Sequence, residues 1–254
     1  MAALLSACSA DPKQPVTFGI SDADKKSGSE FLTSETKALQ EDTFANPGYF
    51  WVDKGEALFS STSSGQTSCA ECHSANALPL EGVAASYPKI DDRTGDLFNL
   101  ERQINACRQR HQNLPALDYE SEALLGLTAY LAHLSRDEPV NVSLDERSEV
   151  YLREGQSYFF TRRGQMNLSC ANCHDENWGK KLRGDTISQG HGNGFPAYRL
   201  EWESFGSLHR RLRDCDTGVR AEPMPYGSDA YLALELYLAA RANGLEIESP
   251  GVRR

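Results

Sequence analysis

Cys69-Ala70-Glu71-Cys72-His73 and Cys170-Ala171-Asn172-Cys173-His174 are two copies of one five-residue signature, C-x-x-C-H, set 101 positions apart. Two cysteines three positions apart on a helical turn reach the two vinyl groups of one haem edge as thioethers, and the histidine that follows meets the iron from the proximal side. The pattern predicts two covalently bound c-type haems, one on Cys69 and Cys72 with His73 as iron ligand, the other on Cys170 and Cys173 with His174. A zinc site or a pair of redox dithiols would have no need of a histidine directly after each cysteine pair. Of seven cysteines four are committed in this way, and Cys8, Cys107 and Cys215 remain, an odd and scattered set that makes a poor disulfide framework.

The motif spacing divides the 254 residues into two domains of about 100 residues each. No segment approaches the roughly 20 apolar residues of a membrane span. A net charge of -10 excludes nucleic acid as a natural partner and repels small anions, so an anionic substrate would need a local concentration of arginine. Near the start, Leu5-Ser6-Ala7-Cys8 resembles a bacterial lipobox and makes Cys8 a candidate lipid anchor. It lacks a basic leader and a long apolar run, so a late gene start, the stub of an ordinary signal peptide and a chance match stay open. Covalent haem attachment takes place on the oxidising side of the membrane, which puts the mature protein outside the cytoplasm.

Residues 9–46 are polar and broken by Lys25-Lys26-Ser27-Gly28-Ser29 and Asn46-Pro47-Gly48, which reads as an arm or loosely packed lead-in. A duplication follows. Val52–Phe59 and Val150–Phe159 read as helices that run toward the haem motifs, with Gly55 and Gly155 placed 14 and 15 residues before the first haem cysteine, where a glycine permits a close helix crossing. Ser121–Leu134 and Ser228–Arg241 read as closing helices, each opening on a serine suited to cap the first turn. The fold class expected is all-α: two tandem class I cytochrome c-like domains at 47–140 and 141–254, related by duplication, behind a leader remnant and irregular extension at 1–46.

Each iron needs a distal ligand from the connection between motif and closing helix. The first half has no methionine between Ser74 and Gln165, which leaves Cys107, His111 and His133; the second offers Cys215 or Met224. Sliding the halves by 108 superposes Cys107 on Cys215 but sets Ala116 against Met224, so the duplication favours cysteine on both irons, with Met224 the rival at the second. The same shift sets Arg211 against Gln103, and Arg241 stands where the first half has Leu134. The second haem has gained guanidinium groups, which serve either as propionate partners and solvated surface or as a fork for an oxyanion.

The run Gln189-Gly190-His191-Gly192-Asn193-Gly194-Phe195-Pro196-Ala197-Tyr198-Arg199-Leu200-Glu201-Trp202, then Ser207–Arg211, Arg220–Pro223 and Leu234–Arg241, resembles the SoxA family from about Asp42 onward. SoxA is the dihaem subunit of SoxAX, a periplasmic L-cysteine S-thiosulfotransferase of bacterial sulfur oxidation. The resemblance implies a partner, the monohaem cytochrome SoxX, and a reaction in which thiosulfate is joined oxidatively to a cysteine of the carrier protein SoxYZ. It implies that Cys215 is the active-site cysteine and a haem ligand, that Arg211 is the active-site arginine, that Arg241 is a second, and that Cys107 is the distal ligand of the first haem. Met224 departs from the family, where an aromatic is common. A dihaem electron carrier without bond-making chemistry is the alternative.

Overall fold

The computed structural model describes residues 15–62, 67–74 and 78–254. Among them nine α-helices appear in chain order: α1 (Ser34–Glu41), α2 (Tyr49–Ser60), α3 (Cys69–Cys72), α4 (Leu100–His111), α5 (Glu122–His133), α6 (Glu149–Phe160), α7 (Cys170–His174), α8 (Leu208–Gly218) and α9 (Asp229–Ala242). Short strands are minor: β1 (Lys89–Ile90) pairs with β2 (Leu97–Phe98), and β3 (Lys181–Leu182) with β4 (Asp185–Thr186). β5 (Ala197–Arg199) lies between β6 (Ser204–Gly206), antiparallel, and β7 (Gly251–Arg253), parallel.

The fold is all-α and duplicated. In the first half α2 crosses α5 at Gly55, where an added Cβ would lie 2.0 Å from the Gly126 carbonyl oxygen. In the second half α6 crosses α9 at Gly155, where a Cβ would lie 2.1 Å from the Ala233 oxygen. Both glycines hold two helix backbones in contact, as their spacing predicts. The helices that carry Cys107 and Cys215 start alike. Asn99 accepts from Arg102 N–H and Ser207 from Arg210 N–H, and each cap precedes its cysteine by eight residues. Ser121 likewise caps α5, accepting from Leu124 N–H, whereas Ser228 opens α9 without that bond and its buried hydroxyl has no partner.

Each half buries its own core, around Phe59, Leu100, Ile104 and Leu127 in the first and around Leu152, Phe159, Tyr231, Leu234 and Tyr237 in the second. Phe205 of β6 joins them, packing with Val52, Leu125 and Ala129 and stacking on Trp51 at 5.1 Å.

The extension departs from the loose lead-in expected. Residues 17–27 are strapped across the second half: the Thr17 carbonyl accepts from Tyr237 Oη at 2.8 Å, Lys26 N–H donates to Gln189 Oε1, and Gln189 Nε2 donates to the Asp24 carbonyl. Farther along, Gln40 and Asn46 are buried, and Asn46 Nδ2 donates to the carbonyls of Gln40 and Pro250. The polar side chains that make this stretch look solvated are spent on backbone groups of the second half. Cys8 lies outside the described residues. No described helix is long and apolar enough to cross a membrane.

Candidate functional site

Both C-x-x-C-H motifs are short helices opened by a serine capping box. Glu71 N–H donates to Ser68 Oγ at 3.1 Å, and Ser169 N–H donates to Asn172 Oδ1 at 3.0 Å. That start sets both cysteines of a motif on one turn, with the histidine at its end.

The residues fit a haem. His174 Nδ1 is engaged with the Ser188 carbonyl at 2.8 Å and His73 Nδ1 with the Leu78 carbonyl at 3.2 Å, which leaves Nε2 of each ring for iron. Burial, with the charges of Arg211 and Arg241 adding to it, pulls the His174 pKa down to about 4 and keeps the imidazole neutral, as a ligand must be. Gly190, at φ +79°, makes room for that ring, since a Cβ there would lie 2.8 Å from His174 Cγ. Burial pushes the Cys170 thiol up to about 12, an apolar slot that suits a thioether and opposes a zinc-bound thiolate. Among the described residues no three His, Cys, Asp or Glu side chains gather into a metal cage.

The distal candidates separate in space. Negative charge on Cys215 is felt by both Cys170 and Cys173, and that on Cys107 by Cys69, so each distal sulfur faces its own haem motif. His111 is exposed at the end of α4, and His133 packs edge-on against Tyr49 at 5.3 Å. Met224 is 38% exposed and lines an open cavity of about 750 Å³ with Tyr158, Arg163 and Arg220.

The two sulfurs have different neighbours. Gln103 Nε2 lies 3.4 Å from Cys107 Sγ and donates to it, one helical turn earlier on α4. Its counterpart Arg211, one turn before Cys215 on α8, reaches only Asp214 Oδ2, at 3.8 Å, and is one-third exposed. Arg210 is taken by the Phe205 carbonyl and Glu120, and Arg213 by the Met224 carbonyl and the Tyr226 ring. Of this group, Arg211 alone combines a loosely held guanidinium with the field of the haem motif.

Arg241 is elsewhere. It is 1% exposed, its terminal nitrogens donate to the Phe18, His174 and Gln189 carbonyls and to Asp175, and its guanidinium lies over the Phe159 ring. The sequence expectation sets it beside Cys215 as a second anion-binding cation; the structure ties it to the loop that holds His174. A cation this deep in the core is matched by carbonyls and a carboxylate and has no terminal nitrogen left for a substrate.

Two features have no clear sequence signal. Asp216, next to Cys215 and buried, accepts from Tyr158 Oη at 2.6 Å and Tyr231 Oη at 2.8 Å and pairs with Arg163 at 3.4 Å, which fixes the end of α8. Trp202 Nε1 donates to Asp214 Oδ2 at 2.8 Å from the β5–β6 turn. The Arg-rich stretch around Cys215 hints at the second, but sequence separation hides the first.

Residues 54–140 and 154–247 match the SoxA/TsdA cytochrome c domain family, which assigns c-type haem as the cofactor type. The chain is 38% identical over 229 residues to the L-cysteine S-thiosulfotransferase subunit SoxA of Rhodovulum sulfidophilum, covering 90% of this chain and 80% of that one. Against the protein of the same description from Paracoccus pantotrophus it is 36% identical over 228 residues, covering 89% and 78%. The crystal structure of SoxXA from P. pantotrophus superposes with a TM-score of 0.83 at 36% identity, covering 90% of this chain and 86% of that one. The chain belongs to the SoxA family.

Proposed function

We propose that the chain is the dihaem subunit of a periplasmic L-cysteine S-thiosulfotransferase, with one haem in each half (47–140 and 141–254) and the chemistry at the second. Its relatives of that description and the SoxXA structure support a monohaem cytochrome partner, SoxX, and thiosulfate joined to a cysteine of SoxYZ. The observation that carries the reading is the asymmetry of two equivalent helices: Cys107 receives a hydrogen bond from Gln103, whereas Cys215 stands one turn from an uncommitted Arg211.

The reaction balances as thiosulfate dianion plus carrier thiol giving the carrier S-thiosulfonate, two electrons and one proton. Arg211 holds the sulfonate end of thiosulfate by charge-assisted hydrogen bonds and directs the sulfane sulfur at Cys215. The Cys215 thiolate and thiosulfate form a sulfur–sulfur bond with loss of two electrons, giving a Cys215 S-thiosulfonate. The carrier thiolate attacks its sulfane sulfur, the bond to Cys215 breaks, and the thiolate of Cys215 returns. The c-type haem supplies a nearby one-electron acceptor. His73, His174, Cys107 and Cys215 are the residues that would hold the two irons. Arg241 keeps the His174 loop in place and contacts no reacting atom.

Turnover of Cys215→Ala, Arg211→Ala and Cys107→Met, each checked for full haem content, tests this. Cys215→Ala should abolish conjugation, Arg211→Ala should lower it by about a hundredfold, as loss of one anion-stabilising donor does, and Cys107→Met should keep most activity. Equal losses at Cys107 and Cys215 would sink the assignment in favour of a plain electron carrier.

A further inference from the structure

Arg211 and Asp214 are three residues apart on α8, a spacing at which a guanidinium and a carboxylate ordinarily close into an ion pair. Here they stay 3.8 Å apart. The oxygen that Arg211 faces, Asp214 Oδ2, is the one that accepts from Trp202 Nε1 at 2.8 Å. The indole comes from the turn between β5 and β6, whose tightness is set by Trp202 N–H donating to the Arg199 carbonyl and by Glu203 at φ +49°.

The ring is held in place independently of Asp214. Arg210 lies 4.3 Å and Arg199 5.0 Å from its centroid, within cation–π range. Arg210 is anchored by the Phe205 carbonyl, and Arg199, 4% exposed, by Glu201 at 2.7 Å. Gly206 supplies the seat, because a Cβ there would lie 2.7 Å from Trp202 Cζ3. A large ring fixed by two cations, over a glycine, with its one donor on a carboxylate beside the substrate arginine, is more than surface packing requires.

We propose that Trp202 is a positioning residue: its indole N–H holds the Asp214 carboxylate and so keeps the Arg211 guanidinium free for an incoming oxyanion. The inference rests on the reading that Arg211 binds thiosulfate. A carboxylate released from the indole would compete for the same N–H groups and repel the dianion. The field of Asp214 would then weaken substrate binding without touching the sulfur chemistry.

Trp202→Phe keeps the ring and the cation–π contacts and deletes the donor. In the haem-loaded protein with its cytochrome partner, it should raise KM for thiosulfate about fivefold, the scale of an exposed ion pair at the upper end of its range, with kcat nearly unchanged. The dissociation constant of thiosulfate, measured by calorimetry on the oxidised protein without carrier, should rise by the same factor. Adding Asp214→Asn to Trp202→Phe should restore both values, which a mere packing defect would not allow. Should Trp202→Phe fold poorly, Asp214→Glu, whose longer carboxylate reaches past the indole, should raise KM in the same direction. An unchanged KM in Trp202→Phe, or a rise that Asp214→Asn does not reverse, overturns the proposal while leaving the role of Arg211 intact. Arg211→Gln measured alongside separates the two readings: an unchanged thiosulfate affinity there removes the anchor itself and the positioning role with it.

Discussion

A single hydrogen atom in place of a methyl decides the geometry of the proximal histidine. Gly190 has a left-handed backbone, φ +79°, and a Cβ at that position would sit 2.8 Å from His174 Cγ and 3.0 Å from Nδ1. Nδ1 is the atom that the Ser188 carbonyl holds, so displacing the ring breaks the contact that aims Nε2 at the iron. Gly190→Ala therefore combines backbone strain with a direct clash on a metal ligand. The expected outcome is a protein with both haems covalently attached but with the second low-spin ferric signal shifted or turned high-spin in electron paramagnetic resonance, while the first stays as it is. An unaltered spectrum would show that the Ser188 loop yields without moving the ligand. The role of His174 is legible in the sequence because it follows its cysteines directly; that of Gly190 is not, since nothing in a glycine-rich run says which glycine meets which ring.

At the level of elements, the duplicated helix pairs are the part of the fold most fully legible, because each crossing is written as one glycine at a fixed distance before a haem cysteine. The caps on α4 and α8 are legible for the same reason, whereas the strap at residues 17–27 is not: its hydrogen bonds run between backbone carbonyls and side chains more than 130 residues away. Arg241 is misread from sequence on that account, since Phe18 and Asp175 are the partners that commit it. The crossing of α6 and α9 makes a sharp prediction. A Cβ on Gly155 would lie 2.1 Å from the Ala233 oxygen and 2.7 Å from Tyr237 Cβ, both on one helix whose residues are almost wholly buried. Gly155→Ala gains helix propensity of up to about 1 kcal/mol but forces two packed backbones apart, an overpacking cost of about 1–3 kcal/mol or more. The sum should be destabilising, seen as a lower denaturant midpoint, and a midpoint equal to or above the parent would mean that the helices slide apart at no cost.

Across the whole molecule the two halves meet at a buried acidic seam. Glu101, on the helix of Cys107, and His209, on the helix of Cys215, are equivalent positions 108 residues apart, and the fold brings them together with Glu235 of α9. Glu235 Oε2 lies 3.0 Å from His209 Nε2 and accepts from Asn99 Nδ2 at 3.1 Å. A small cavity of about 80 Å³ opens beside them, lined by Glu101, Thr128, Leu208 and Glu235. Burial pushes the Glu101 pKa up from 4.5 to about 7, with Glu235 and Glu120 reinforcing the rise and His209 opposing it. The folded chain thus keeps a proton that the unfolded chain has lost. Below about pH 4.5 the carboxyl is protonated in both states and its contribution is fully present. Between about 4.5 and about 7 only the unfolded state releases the proton, so stability falls as pH rises, and above about 7 the loss is complete. The displacement corresponds to about 3 kcal/mol. Glu101→Gln mimics the protonated form at every pH. It should flatten this part of the pH profile and make the variant more stable than the parent at pH 8 but not at pH 5, measured as denaturant midpoints of the haem-loaded protein at both values. Parallel profiles for parent and variant would mean that Glu101 enters the fold ionised, with His209 as its counter-charge across the seam.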